Sequence, residues 1–185
     1  LLGAGDAALT AGDYAGAEAA FRAASDADTT LNVASRAGLA QALAGQRRFD
    51  EARSAIGAAL AEAPDARVAR AAAAWIALQA GDWREAQAHC RAGLAAAPGD
   101  ATLSRLLGQA LRAGGALSEA IEAFQAAVAA DAHDASAVAG LAAASLDAGD
   151  AERARGLLER AIAAGDTSAE TFANLKECVY EIDHR

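Results

Sequence analysis

Two adjacent side chains, His89 and Cys90, are the first candidates for chemistry in this chain. A cysteine and a histidine together can supply a nucleophile and its base, or two ligands of a metal ion. Neighbouring residues of a helix point about 100° apart, however, and the sequence offers no third ligand nearby. We therefore interpret His89 as an exposed histidine and Cys90 as a small buried apolar residue.

The other reactive groups have equally ordinary explanations. His133 lies between Asp131 and Asp134 in a predicted loop, where we expect it to be solvated. The sequence contains no phosphate-binding loop, no nucleophile elbow and no His-Glu-x-x-His zinc motif. Its two cysteines, Cys90 and Cys178, cannot build a disulfide framework. The sequence thus predicts no catalytic residues, no metal site and no cofactor.

Charge and composition exclude several classes of partner. The formal net charge is -9, whereas a nucleic-acid binder needs a basic surface. No apolar stretch reaches the roughly 18 residues of a transmembrane helix. We therefore expect no nucleic-acid binding and no membrane insertion, and we favour the cytoplasm, with the periplasm as the alternative. The use of arginine over lysine suggests a bacterial source, and the absence of methionine, even at position 1, indicates a fragment of a longer protein.

An alanine that recurs at a fixed interval shows how the secondary structure of this chain is organised. Ala52, Ala86, Ala120 and Ala154 are spaced by 34 residues, and Ala17 precedes Ala52 by 35. A period of this length is typical of stacked helical repeats. Turn signals lie inside the repeats at 12–13, 45–46, 81–82, 114–115 and 149–150, and between them at 25–30, 63–65, 97–100, 131–134 and 165–168. They predict helices over 1–11, 14–25, 31–44, 48–62, 66–80, 83–96, 100–113, 117–130, 134–147, 151–164 and 168–182.

Small residues at matching positions explain how these helices stack. Where the recurring alanines cross the first helix of each pair, the sequence has Gly5, Ala40, Ala74, Gly108 and Ala142. Larger apolar residues fill the space deeper in each second helix: Phe21, Ile56, Cys90, Phe124 and Leu158. The last helix lacks a partner, and its charges predict a polar outer face. We interpret it as a capping helix, with a cut repeat as the alternative.

The pattern resembles the tetratricopeptide repeat family. That family's signature is matched best in the fourth repeat, by Leu107-Gly108, Leu111, Ala120, Phe124 and Ala127, and the third repeat retains Trp83, Ala86, Gly93 and Pro98. The resemblance implies an all-α, right-handed superhelical solenoid of antiparallel helix pairs. It implies one domain over residues 1–185, with repeats at about 1–29, 30–64, 65–98, 99–132 and 133–166 and a capping helix at 168–182.

The resemblance also implies a binding function, since first helices of the family line a concave groove that holds a peptide or a partner helix. Helical spacing then predicts an inward stripe made of Asp6, Leu9, Gln41, Ala71, Trp75, Leu78, Gln79, Arg105, Gln109, Arg112, Ala143, Leu146, Asp147, Glu177, Tyr180 and Glu181. Trp75 is unusual, because the equivalent positions hold Gln41 and Gln109. It is either a recognition anchor or a filler of space among alanines. Arg105 and Arg112 either bind carboxylates or form a solvated face.

We therefore predict a non-catalytic scaffold that binds a protein or peptide partner. The predicted contact residues are Gln41, Trp75, Leu78, Gln79, Arg105, Gln109 and Arg112. Two alternatives stay open. The first is a structural repeat that self-assembles into a homo-oligomer, and the second is a helper domain of a larger bacterial enzyme.

Overall fold

The computed structural model describes residues 2–27, 32–163 and 169–184, and all regular structure in this part of the chain is helical. The predicted all-α class is confirmed. The helices are α1 (Leu2–Thr10), α2 (Tyr14–Ala27), α3 (Asn32–Gly45), α4 (Phe49–Glu62), α5 (Arg67–Gln79), α6 (Trp83–Ala96), α7 (Ala101–Ala113), α8 (Leu117–Ala130), α9 (Ala135–Asp147), α10 (Ala151–Ala163) and α11 (Ala169–Asp183). Each predicted helix end lies within two residues of the observed one. The predicted loop at 25–30 begins too early, because residues 25–27 still belong to α2; its remaining residues and the predicted loop at 165–168 lie outside the described residues.

The chain divides into two compact units, Leu1–Ala97 and Pro98–Arg185. In unit 1, the pairs α1 with α2, α3 with α4 and α5 with α6 pack together, and α3 also contacts α2 and α5. In unit 2, α7 packs with α8 and α9 with α10, while α9 also contacts α7, α8 and α11. The division falls at the boundary that the sequence predicts between the third and fourth repeats.

Gly-Asp pairs end the first helix of a pair and begin the second. Gly81 and Gly149 have φ of 83° and 82°, a left-handed conformation that terminates a helix at little cost for glycine. The following aspartates then cap the next helix: the Asp82 carboxylate accepts a hydrogen bond from the backbone N–H of Glu85 at 3.0 Å. Asp150 accepts one from Arg153 at 3.1 Å. These pairs therefore serve as turn and cap in one.

The turn between α3 and α4 departs from this pattern. The sequence predicts it at Gly45-Gln46, but Gly45 is the last residue of α3 and the left-handed residue is Arg47, with φ 63°. Gly45 has a different role, because a Cβ atom there would overlap the ring of Tyr14. The observed turn at 46–47 therefore lies one residue beyond its predicted position, because the glycine was taken for a helix stop although it provides space for a ring.

Phe124 in α8 shows how the core of unit 2 is spaced. Its side chain is 1% exposed. A Cβ atom built on Gly108 of α7 would lie 2.8 Å from its Cγ atom, and one built on Gly140 of α9 would also collide with the ring. Contacts that short are not seen between real carbon atoms, so both glycines are required for the observed separation of α7, α8 and α9.

The same arrangement recurs in unit 1. The Phe21 ring of α2 occupies the space that a Cβ on Gly5 of α1 or Gly38 of α3 would need. In the next repeat the second helix carries the smaller Ile56, and the flanking first-helix residues are Ala40 and Ala72 of the same core cluster. The recurring alanines are all fully buried, as predicted: Ala17, Ala52, Ala86, Ala120 and Ala154.

A buried carboxylate joins α2 to the α3–α4 turn. Glu18 is 7% exposed and accepts hydrogen bonds from Gln46 Nε2 at 2.6 Å and from Arg48 Nη1 at 2.9 and 3.0 Å. Arg22, one turn along α2, is also paired with it. The bond from Gln46 is the main reason that the pKa of Glu18 lies below its usual value. Three donors on one carboxylate compensate for its burial.

Helix α11 buries one face and exposes another. Thr171 and Cys178 are buried, and Cys178 packs in a core cluster with Leu158 of α10, whereas Phe172, Val179 and Tyr180 are 49%, 43% and 63% exposed. The outer face predicted to be polar therefore carries apolar side chains as well as charges. Among the described residues, no helix is both long and apolar enough to cross a membrane.

Replacement of Arg47 by glycine is expected to stabilise the fold. A left-handed backbone costs a non-glycine residue roughly 1–2 kcal/mol, and glycine removes that cost. Part of the gain is offset by loss of the contact between the Arg47 guanidinium and the Phe49 ring, 5.7 Å from its centroid. We expect R47G to raise the free energy of unfolding by about 0.5–1 kcal/mol in urea denaturation. R47A is the control, since it loses the same contact and keeps the backbone strain; equal stability of the two variants would refute this explanation.

Candidate binding surface on the first helices

The predicted contact residues fall into two groups, one in each unit. In unit 1 they are Gln41 on α3 and Trp75, Leu78 and Gln79 on α5, which we call the Trp75 patch. In unit 2 they are Arg105, Gln109 and Arg112 on α7, which we call the Arg112 patch. Each patch lies on helices of its own unit.

Alanine-rich packing places the Trp75 patch on one side of α5. The buried side of this helix is formed by Ala69, Ala72, Ala73, Ala74, Ile76 and Ala77. Residues at three- and four-residue spacing on the other side remain accessible: Trp75 and Leu78 are half-buried, and Gln79 is exposed. Gln41, on the neighbouring α3, is also half-buried. The helical spacing thus leaves all four predicted residues of unit 1 with accessible surface.

Trp75 itself has two kinds of surroundings. It packs against the core cluster of unit 1, which includes Ala72 and Ile76, and part of its surface stays accessible. The ring therefore fills space among alanines and also presents an aromatic surface to solvent. A ring fixed by the core in this way loses little conformational entropy when a partner contacts it.

Val68 is a neighbour of Trp75 that the sequence analysis missed. It lies on α5 two turns before Trp75 and is 48% exposed. The signal was present, because residues seven apart lie on the same side of a helix. Val68 extends the apolar part of the Trp75 patch towards the start of α5.

Both arginines of the Arg112 patch are paired with carboxylates of the α9 segment. Arg112 Nε donates to Asp147 Oδ2 at 2.6 Å, and Arg105 Nε donates to Asp134 Oδ2 at 3.1 Å. Asp134 also caps α9 by accepting from the backbone N–H of Ala137 at 3.0 Å. The sequence predicted that these arginines could bind carboxylates, but it did not identify α9 and its cap as a source of them.

The Arg112–Asp147 pair borders a small open cavity. Gln109, Arg112, Ala113 and Asp147 line this cavity, which has a volume of about 310 Å³. The side chains of the pair are 36% and 41% exposed, so water screens their attraction. Pairs of this kind contribute about 0–1 kcal/mol, which means that an incoming carboxylate can replace Asp147 at small cost.

The predicted stripe is wrong along α9. Ala143 and Leu146 are 3% and 8% exposed, and Leu146 belongs to the core cluster that contains Leu158 and Cys178. Helix α9 is contacted by α7, α8, α10 and α11, so almost every side of it is covered. The side of α9 selected by helical spacing is therefore buried except at Asp147.

The His89–Cys90 pair is not arranged for catalysis. His89 was predicted to be exposed, but its side chain is 20% exposed, with Nδ1 3.2 Å from Arg70 Nη1 and Nε2 3.8 Å from Glu85 Oε1. Burial, followed by the charge of Arg70, lowers the pKa of His89. Cys90 has no exposed surface, and burial raises the pKa of its thiol to about 12. Within the described residues, no three His, Cys, Asp or Glu side chains are grouped closely enough to hold a metal ion.

Comparisons with known proteins agree with the repeat pattern. A family model described as tetratricopeptide repeat matches residues 8–76 and 111–177, and another with the same description matches residues 71–135. Comparison with curated proteins gave no match.

Solved structures with the same fold include three that cover most of the chain. A thermophilic TPR protein from Thermus thermophilus, TTC0263, has a TM-score of 0.83 at 14% identity, covering 95% of each chain. MamA from Desulfovibrio magneticus RS-1 has a TM-score of 0.67 at 21% identity, covering 86% of this chain and 90% of its own. YrrB, described as a TPR protein with an unusual peptide-binding site, has a TM-score of 0.66 at 16% identity, covering 93% and 88%. At such identities the likeness confirms the predicted fold.

Both thiols are expected to resist thiol–disulfide exchange with an added reagent in the folded protein. Near neutral pH a thiol with a pKa of about 12 is almost wholly protonated, and the thiolate is the reactive form. Cys178 is also fully buried, and burial raises its pKa. We expect Ellman's reagent to modify neither cysteine of the native chain within minutes, and to modify both at once in concentrated urea. Rapid reaction of one thiol without urea would show that Cys90 or Cys178 is accessible.

Proposed function

The chain belongs to the tetratricopeptide repeat family, and we propose that it is a non-catalytic module that binds a protein or peptide partner through its first helices. The family fold is suited to protein–protein interaction. That YrrB, a protein of the same fold, has a peptide-binding site supports a peptide as the partner. The fold alone does not specify the contact residues, which have to be inferred from side chains.

The observation that carries the proposal is the placement of Trp75. Positions 34 residues before and after it hold Gln41 and Gln109, so a large aromatic ring is not a requirement of the repeat. The ring is anchored on the core and keeps accessible surface, with exposed Val68 on the same side of α5. Tryptophan is enriched among the residues that dominate binding energy. We propose that Trp75, with Leu78 and Gln79 beside it and Gln41 on α3, contacts an apolar side chain of the partner.

The Arg112 patch supports an acidic character for part of the partner. Both of its arginines already bind carboxylates of the same chain, Asp134 and Asp147, which shows that these guanidinium groups can accept such a group. Arg112 is held by a solvent-exposed aspartate beside a cavity that Gln109 also lines. We propose that an acidic side chain of the partner replaces Asp147 as the carboxylate bound by Arg112. Arg105, on the same helix, would also contact this acidic part of the partner.

The test begins with selection of binding peptides from a random peptide library displayed on phage, followed by affinity measurement with synthetic peptides. We expect W75A to weaken peptides that carry an aromatic or aliphatic residue by about 30-fold, the typical effect of removing a binding hot spot of about 2 kcal/mol. R112Q is expected to weaken acidic peptides, and D147N to strengthen them, because the internal competitor is removed.

Trp83 provides a matched control for this experiment. It follows the turn at the start of α6, where the repeats carry large residues for packing, and its ring is covered by the Arg84 guanidinium at 4.1 Å. W83A makes the same chemical change outside the proposed surface, so it should leave peptide affinity unchanged wherever circular dichroism shows a folded chain. Equal loss from W75A and W83A would reject Trp75 as a contact residue.

Self-assembly is the second candidate, and the outer face of α11 is the observation that favours it. Phe172, Val179 and Tyr180 expose apolar surface there, and a second copy of the chain would cover such a face. Light scattering over a range of concentrations separates the two functions. A constant monomer mass would eliminate self-assembly, and a mass that rises with concentration and falls back in F172E would support it.

A further inference from the structure

A second cavity in unit 2 shares no lining residue with the Arg112 patch. Its volume is about 340 Å³, and it is bordered by His133 in the loop before α9, Val138 on α9, and Arg160 and Ala161 near the end of α10, with further alanines between them. Cavities of about 300–1,000 Å³ are the usual size for small-ligand sites. None of its lining residues belongs to the predicted stripe.

The position of Val138 on α9 carries a long side chain in two other repeats. Val138 is 34 residues after Ser104 and 68 after Arg70, and Arg70 is 34 after Arg36. Arg36 extends to Glu62 at the end of α4, with Nη1 2.7 Å from Oε2. Arg70 extends to the loop before α5, where its Nε donates to the carbonyl oxygen of Pro64 at 2.7 Å. The side chain of Val138 is too short and too apolar to make either contact.

The lining combines an apolar floor with a cation at the rim. Val138 and Ala161 are 7% and 2% exposed, so they form the floor, while Arg160 is exposed. Within the described residues, Arg160 takes part in none of the ion pairs, unlike Arg155 on the same helix, which pairs with Glu152 at 3.1 Å. The guanidinium group is therefore accessible from the cavity.

Two described carboxylates flank His133, and each accepts hydrogen bonds from groups other than Arg160. Asp131 Oδ1 accepts from the backbone N–H of His133 at 2.9 Å. Asp134 accepts from the N–H of Ala137 and is paired with Arg105 Nε at 3.1 Å. Among the described residues neither Asp131 nor Asp134 forms an ion pair with Arg160, whose exposed guanidinium group can therefore bind an external anion.

We propose that this cavity binds a short apolar group that ends in a carboxylate. Arg160 binds the carboxylate, and Val138 and Ala161 contact the apolar part. A free aliphatic acid and the C-terminus of a peptide share this chemistry, and the experiment distinguishes them.

The test is a titration of the ¹⁵N-labelled chain by NMR with three probes: 3-methylbutanoate, N-acetyl-Ala-Val, and the amide of the same dipeptide. We expect the amide resonances of Val138 and Ala161 to shift with at least one acid, and the dipeptide amide to bind about tenfold more weakly than the dipeptide acid, since it lacks the charge. A response to both acids, or to 3-methylbutanoate alone, assigns a small acid; a response to the dipeptide acid alone assigns a peptide C-terminus.

Variants identify the groups responsible. R160Q should weaken the responding acid by about tenfold and leave the dipeptide amide unaffected. R155Q makes the same change earlier on α10 and should have no effect. V138R places an arginine where Arg36 and Arg70 stand in other repeats and should abolish binding of every probe. If V138R fails to fold, R160Q still tests the site, because Arg160 is exposed.

Three results would overturn the proposal: no shift with either acid, equal affinity of the dipeptide acid and its amide, or equal effects of R160Q and R155Q. W75A is expected to leave the titration unchanged. Failure of the peptide surface and failure of this cavity are therefore separate outcomes.

Discussion

The contact between phenylalanine rings and glycine backbones sets the distances on which the rest of each unit depends. Phe21 and Phe124 lie where a single methyl group on the facing glycines would collide with them. A second helix can therefore approach its first helix closely only where those positions stay small. The recurring alanines complete the same crossing from the other side, and all are fully buried. With helix spacing fixed in this way, partly exposed side chains away from the crossings can change without disturbing the fold, and Trp75 and Arg112 are such positions.

The sequence predicted the helices well because their ends depend on local chemistry. A left-handed glycine and a capping aspartate act within a few residues, so Gly81-Asp82 and Gly149-Asp150 could be interpreted without knowledge of the fold. Gly45 was misinterpreted because its role depends on Tyr14, which is distant in sequence. The sequence alone does not distinguish a glycine that ends a helix from a glycine that leaves space for an aromatic ring.

The binding surface was harder to predict. Helical spacing gives the side of a helix on which a residue lies, but it does not show whether another helix covers that side. Leu146 has the spacing of the stripe, but four other helices surround α9 and bury it. His89 was expected in solvent, yet Arg70 from the preceding helix covers it. The Arg105–Asp134 and Arg112–Asp147 pairs join residues 29 and 35 positions apart, so they follow from the packing of α7 on α9. Val68, by contrast, could have been predicted from the helical spacing that selected Trp75, because the two residues are seven apart on α5.

The packing claim is tested most directly by a double-mutant cycle between Gly108 and Phe124, measured by urea denaturation. In the native background G108A should destabilise the chain by about 1–3 kcal/mol, although alanine is the better helix former. G156A should stabilise it by about 1 kcal/mol, because a Cβ on Gly156 meets no atom within 4 Å. In an F124A background, which removes the Cγ and Cδ atoms that a Cβ on Gly108 would meet, the cost of G108A should fall by about 1 kcal/mol or more. If instead G108A costs the same free energy with Phe or Ala at position 124, within about 0.5 kcal/mol, the ring does not set the helix spacing.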